Sequence, residues 1–259
     1  MGYLYFDESI HARGGFILGA FVYSGSDMSP IVAGVLRECG LTPPKDEFKS
    51  RSRMDSSRTM QTVRAHLLEL ARGTKVGIAV IPIADRPRLA FHALRALDAL
   101  DHRNERLSNS RHDVFFDTGI FRSTKHAKEL SDQLKLGLRF TLHPEQDSRQ
   151  VAGLQLADCV AHRAATMLLA QLGLVRKTVR VGDGSDSDPE REVPLSFEVW
   201  HSLRSTFFHK NLEIGDDGTK PPHGVVDTSV ALYIAGGTPE PLVEASHCCF
   251  DRMYVACTR

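Results

Sequence analysis

Strand-like runs and helical periods alternate from Tyr3 to Leu172, and this alternation limits the chain to a mixed class of fold. Tyr3 to Glu8 is short, aromatic and β-rich, and Gly14 to Tyr23 (GGFILGAFVY) is a second run beyond a Gly-containing turn. Ser29-Pro30 opens a helix to about Cys39, which Gly40 and Pro43-Pro44 end. Ser56 or Ser57 caps a second helix through Leu70, with Met60, Val63, Leu67 and Leu70 at helical spacing. Lys75 to Ile83 reads as a third strand and Pro87 to about Leu107 as a long helix. Asp113 to Phe116 is a short apolar strand ending in Asp117-Thr118-Gly119, followed by a helix from Thr124 to Leu136. Leu138 to Leu142 is a fifth strand, and Val151 to Leu172 a strongly apolar helix. The order β β α α β α β α β α predicts an α/β sheet covered by helices.

The character of the chain changes after Gly173. Gly182 to Glu192 carries five acids against one Arg and reads as a solvated loop or linker. Its alternating aspartates lack the order and closing Glu of a calcium loop. Leu195 to Phe208 is a candidate helix carrying Trp200, and Val225 to Ile234 is the one regular run beyond it. The predicted organisation is a core over 1–174, an acidic loop over 175–193 and an accessory C-terminal region over 194–259.

Charge and cysteine usage exclude several functions. Lys+Arg and Asp+Glu both number 32, so the chain as a whole is no polycation, and any nucleic-acid contact must be local. Residues 48–64 supply such a patch, with Lys49, Arg51, Arg53, Arg58 and Arg64 against Asp55 alone. An ordinary solvated helix start accounts for the same residues equally well. The five cysteines, Cys39, Cys159, Cys248, Cys249 and Cys257, form no CxxC pair, which argues against a disulfide framework or a zinc ribbon. The sequence opens without a secretory pattern, and the Ala161 to Leu174 stretch is broken by His162, Arg163 and Gln171. A cytoplasmic protein with reduced thiols and no membrane partner is expected. No GxxxxGK[ST], GxGxxG or GxSxG motif is present.

Three carboxylates stand in apolar surroundings: Asp7 at the end of the first strand, Asp117 at the end of Val114-Phe115-Phe116, and Asp158 within Leu154-Gln155-Leu156-Ala157-Asp158. Carboxylates enter such surroundings with a partner or a metal. If the first and fourth strands are parallel neighbours, Asp7 and Asp117 lie side by side, and a helix over that edge can add Asp158. Three such charges call for a counter-ion, and Mg²⁺ or Mn²⁺ suits an all-oxygen donor set. Two such ions about 4 Å apart would clamp the attacking and leaving oxygens of a phosphodiester.

The segments Tyr5-Phe6-Asp7-Glu8-Ser9, Glu47-Phe48-Lys49, Phe115-Phe116-Asp117 and Leu154-Gln155-Leu156-Ala157-Asp158 resemble, in this order, the family called domain of unknown function 3800. The resemblance spans roughly residues 3–172. It implies a ribonuclease-H-like fold, a five-stranded mixed sheet with its first three strands antiparallel and flanking helices, and a divalent-metal-dependent nuclease, of phage-defence or mobile-element type. On this reading Asp7, Asp117 and Asp158 are metal ligands, with Glu47 as a further ligand or an orienter of water. Lys49 contacts a scissile phosphate or balances the acids, and His143, following the fifth strand, assists proton transfer or product release. Asp147 and Ser148 lie in the same connection. Regular alternation sends Glu8 to the face opposite Asp7 as a structural residue, unless a bulge turns it inward.

Two other readings stand beside this one. Phe115-Phe116-Asp117-Thr118-Gly119 matches an aspartic-protease signature, but a single copy would need a homodimer, and helix follows it. A non-catalytic scaffold that binds nucleic acid or a protein partner is the alternative within the same fold.

Overall fold

A computed structural model describes residues 1–51, 57–136, 139–180, 192–212 and 223–256. Arg53, Asp55, Ser56, Leu138, Cys257 and most of the acidic stretch, Gly182 to Arg191, lie outside these residues. The centre is a sheet built from β1 (Gly2–His11), β2 (Phe16–Ser24), β3 (Lys75–Pro82), β4 (His112–Asp117), β5 (Phe140–Gln146) and β10 (Leu232–Ile234). Its strand order is β10-β3-β2-β1-β4-β5. β1, β2 and β3 form an antiparallel meander, while β4 and β5 run parallel to β1. The sheet is therefore mixed, with six strands where five were expected. The sixth, β10, comes from the C-terminal region and pairs in parallel with β3.

The helices are α1 (Ser29–Glu38), α2 (Arg58–Arg72), α3 (Leu89–Arg103), α4 (Glu105–Ser108), α5 (Thr124–Leu134), α6 (Gly153–Gln171), α7 (Leu195–Leu203) and α8 (Glu240–Phe250). α6 lies against β1 and β2 and is wrapped by α1, α2, α7 and α8. Its buried residues run from Leu154 to Leu168 on nearly every side, the pattern of a helix enclosed in protein. Gly153 admits it to the sheet: a Cβ there would stand 2.3 Å from the Tyr5 ring. α3 covers the other face, where Gly77 meets the Leu100 side chain in the same way. Short strands β6 (Thr178–Arg180) and β7 (Glu192–Pro194) form a hairpin-like pair. β8 (Lys210–Asn211), β9 (Val225–Asp227) and β11 (Arg252–Tyr254) form a separate small sheet.

Several boundaries differ from the sequence reading. The long helix from Pro87 is a 3-10 segment, Ile83–Arg88, then α3, then α4 after a break at Asn104. The Leu195 helix ends at Leu203 rather than Phe208. Val225 to Ile234 is two strands in different sheets, with a 3-10 turn at Ser229–Ala231 between them. β5 continues to Gln146, which places His143 within the strand rather than after it. No helix among the described residues is long and apolar enough to cross a membrane.

Candidate active site

β1 and β4 lie side by side in parallel, with Tyr5 opposite Phe115 and Phe6 opposite Phe116. The next pair in that register is Asp7, which lies within β1 rather than at its end, and Asp117, the last residue of β4. Tyr5 and Phe115 stack on the same face, ring centroids 5.4 Å apart, and form an apolar floor below the two acids. α6 crosses this face and presents Gln155 and Asp158, three residues apart and so on one side of the helix. An irregularity in the β4–β5 ladder falls between Phe115 and Asp117. Glu145, at φ 56°, turns its carboxylate back to accept the Gly119 and Phe121 N–H groups at 3.0 and 2.7 Å. The Asp117-Thr118-Gly119 turn is thereby fixed.

The segment from Glu47 to Ser50 is held to α6 by its backbone. The Phe48 N–H donates to Gln155 Oε1 at 2.7 Å, and the Ser50 N–H donates to Asp158 Oδ2 at 2.8 Å. The Ser50 hydroxyl donates to the other Asp158 oxygen. Gln155, almost wholly buried, also donates to the Ser148 carbonyl at 2.9 Å, so one amide joins two loops. Between those loops sits Lys49. Its Nζ lies 3.0 Å from Ser148 Oγ, 3.5 Å from Glu47 Oε2 and 3.9 Å from Asp117 Oδ2. Ser148 Oγ donates in turn to Glu47 at 2.9 Å.

The structure thus brings together Asp7, Glu47, Lys49, Asp117 and Asp158. It does not bring His143 to them. That ring pairs with Asp113 at 2.8 Å and stacks on Phe115 at 4.5 Å, deeper along the strand. Asp147 pairs outward with Arg149, whose guanidinium holds its carboxyl below the usual range. Of the basic patch, Lys49 has contacts in this cluster, while Arg58 and Arg64 belong to α2.

Electrostatics set the character of the cluster. Asp7 is 6% exposed; burial, then the charges of Glu8, Asp117 and Asp158, push its carboxyl well above the ordinary range. Burial also raises Asp117, an effect that Lys49 partly offsets. Burial alone would lower the Lys49 ammonium, but Asp117, Glu47, Asp7 and Asp158 outweigh it and raise the group. Glu8 is a participant that strand alternation left open. Burial pushes its carboxyl up to about 7, with a hydrogen bond to Asp7 working against the rise and the Asp117 charge adding to it. Its Oε2 is buried with no hydrogen-bond partner among the described residues.

A stability signature follows. Folded Glu8 keeps its proton to about pH 7, and an unfolded chain releases it near 4.5. The folded state binds more protons in that window, so this group's contribution falls as pH rises from 4.5 to 7. Glu8→Gln is expected to melt progressively higher than wild type as pH rises across the window, as measured by circular dichroism. Parallel melting profiles would sink this account of Glu8.

Among the described residues no group of three or more His, Cys, Asp or Glu side chains stands ready to hold a metal ion. The donor chemistry nevertheless fits a hard divalent cation: every candidate ligand is a carboxylate oxygen, acids outnumber the one ammonium, and Glu8 Oε2 has no hydrogen-bond partner among the described residues.

No protein-family model matches this chain, and no curated protein matches it. Among solved structures the chain is similar to one described as the PCNA:RNase HII complex from Archaeoglobus fulgidus, at 18% identity. That match covers 78% of this chain and 88% of the other, with a TM-score of 0.38.

Proposed function

We propose that this chain is a divalent-metal-dependent phosphodiesterase of the domain of unknown function 3800 family that hydrolyses DNA or RNA. The observation that carries the reading is the convergence of Asp7 and Glu8, midway along β1, with Asp117 at the end of the adjacent parallel β4, and with Asp158 held near them by Ser50. The antiparallel β1–β3 meander beside parallel β4 and β5 supports the ribonuclease-H-like architecture.

Asp7, Glu8 and Asp117 would hold Mg²⁺ or Mn²⁺, with Asp158 and Glu47 as further carboxylates of the same centre. The bound ion supplies Lewis acidity and a water of lowered pKa. The chain does the rest. The acids repel one another without a cation, so the site is primed to take one up. Gln155 and Ser50 fix the Lys49 segment, and Ser148 orients both Lys49 and Glu47. Lys49 thereby presents its ammonium to a phosphate lying over the acids. A net charge of zero leaves binding to this local arrangement or to a protein partner.

One observation favours the second reading, a non-catalytic scaffold: Lys49 and Ser50 already engage Glu47, Asp117 and Asp158. End-labelled single- and double-stranded DNA and RNA separate the two. Incubation with Mn²⁺ or Mg²⁺ is expected to shorten at least one substrate, and EDTA to prevent it. Four intact substrates in the presence of either ion would favour the scaffold.

A further inference from the structure

We propose that Lys49 is built in as the second cation of the carboxylate centre, so that the site takes one divalent ion and not a pair. The inference rests on the metal-dependent reading above and specifies how many ions it involves.

The cluster divides into two halves that share Asp117. On one side, Lys49 Nζ lies 3.5 Å from Glu47 and 3.0 Å from Ser148, and 3.9 Å from Asp117 Oδ2. On the other side stand Asp7 and Glu8, whose Oε2 is buried without a hydrogen-bond partner among the described residues. The Arg86 charge acts on Glu8, but among the described residues no ion pair reaches Asp7 or Glu8, whereas Lys49 pairs with Glu47 and Asp117 on the first side. Two ions of such a centre would lie about 4 Å apart. Were one held on the Asp7 and Glu8 side, a second would have to compete with the Lys49 ammonium for Glu47 and Asp117.

Lys49 is also held where it is. The residues on both sides of it are bonded to α6 through their backbone, Phe48 to Gln155 at 2.7 Å and Ser50 to Asp158 at 2.8 Å. Ser148 accepts from the ammonium while donating to Glu47, which closes the arrangement. A lysine free to swing away would not need a clamp on each neighbour. Such a fixed ammonium offers N–H donors and a permanent charge to a phosphate oxygen.

Calorimetric titration of the full chain with Mn²⁺ tests the proposal, alongside Lys49→Met, Lys49→Gln and Lys49→Arg. Circular dichroism melts confirm that each variant is folded. Wild type and Lys49→Arg, which keeps the charge, are expected to take one Mn²⁺ per chain, and the two neutral variants two. Electron paramagnetic resonance should report an isolated Mn²⁺ in wild type and a coupled pair in the neutral variants. Two ions in wild type, or one in folded neutral variants, overturns the proposal and leaves the metal-dependent reading standing. No binding by any form overturns both.

Discussion

Asp7→Asn is expected to lower metal-dependent cleavage by roughly 10²–10³-fold or more, as for loss of a principal electrostatic group at a reacting centre. The same variant is expected to melt higher than wild type at neutral pH in the absence of metal. Both effects have one cause. Asp7 is 6% exposed and faces the charges of Glu8, Asp117 and Asp158, so its ionised form is costly to the fold. Asparagine keeps an oxygen for the Glu8 N–H, which Asp7 Oδ1 now accepts at 2.7 Å, and discards the charge. A local packing role would not predict this opposition of stability and activity. Single-turnover cleavage and thermal melts on the same preparation decide it. Wild-type cleavage in the variant would remove Asp7 from the reaction, and a lower melting point would remove the argument from charge repulsion.

Phe116→Ala is expected to cost about 3–5 kcal/mol, the range for deleting a buried aromatic ring. Phe116 is fully buried on the face opposite Asp117. Its ring lies 5.0 Å from Phe121, 5.6 Å from Phe6 and 6.1 Å from Phe21, centroid to centroid. Those rings come from β1, β2 and the turn after β4, so the cavity would loosen three segments around the carboxylates. Typical domains have only about 5–15 kcal/mol in hand, so the variant should sit close to unfolding. Urea unfolding measures the loss, and a cost under about 1 kcal/mol would show that the neighbouring rings close the gap.

Much of this arrangement is legible in the sequence because the signals are local. Apolar runs mark β1 and β4, and a carboxylate after each is conspicuous. Their meeting depended on the two strands being parallel neighbours, which is their relation in the sheet. Gln155 and Ser148 left fainter traces. A glutamine amid Leu154, Leu156 and Ala157 is an anomaly of the same kind as Asp158, but its partners lie in loops distant in sequence. Glu8 was left open because alternation assigns a side chain to a face and says less about how far a long carboxyl reaches. His143 falls after the apolar run that ends at Leu142, yet β5 continues to Gln146 and, at the edge of the sheet, accommodates Pro144. β10 was concealed by its length, three residues inside a longer apolar run.

The pairing of β10 with β3 also orders events during synthesis. β3 leaves the ribosome early, together with the meander it completes; Val76 is met by the segment from Thr206 to Phe208, and the outer edge from Ile78 to Val80 is paired only when Leu232 to Ile234 emerge. An unpaired edge of Ile78, Ala79 and Val80 is a template for another chain, and translation at about 5–20 residues per second prolongs its exposure. The nascent protein is therefore most vulnerable to misassociation just before β10 arrives. Slow translation or truncation ahead of Leu232 should lower the soluble yield more than the loss of three residues would suggest.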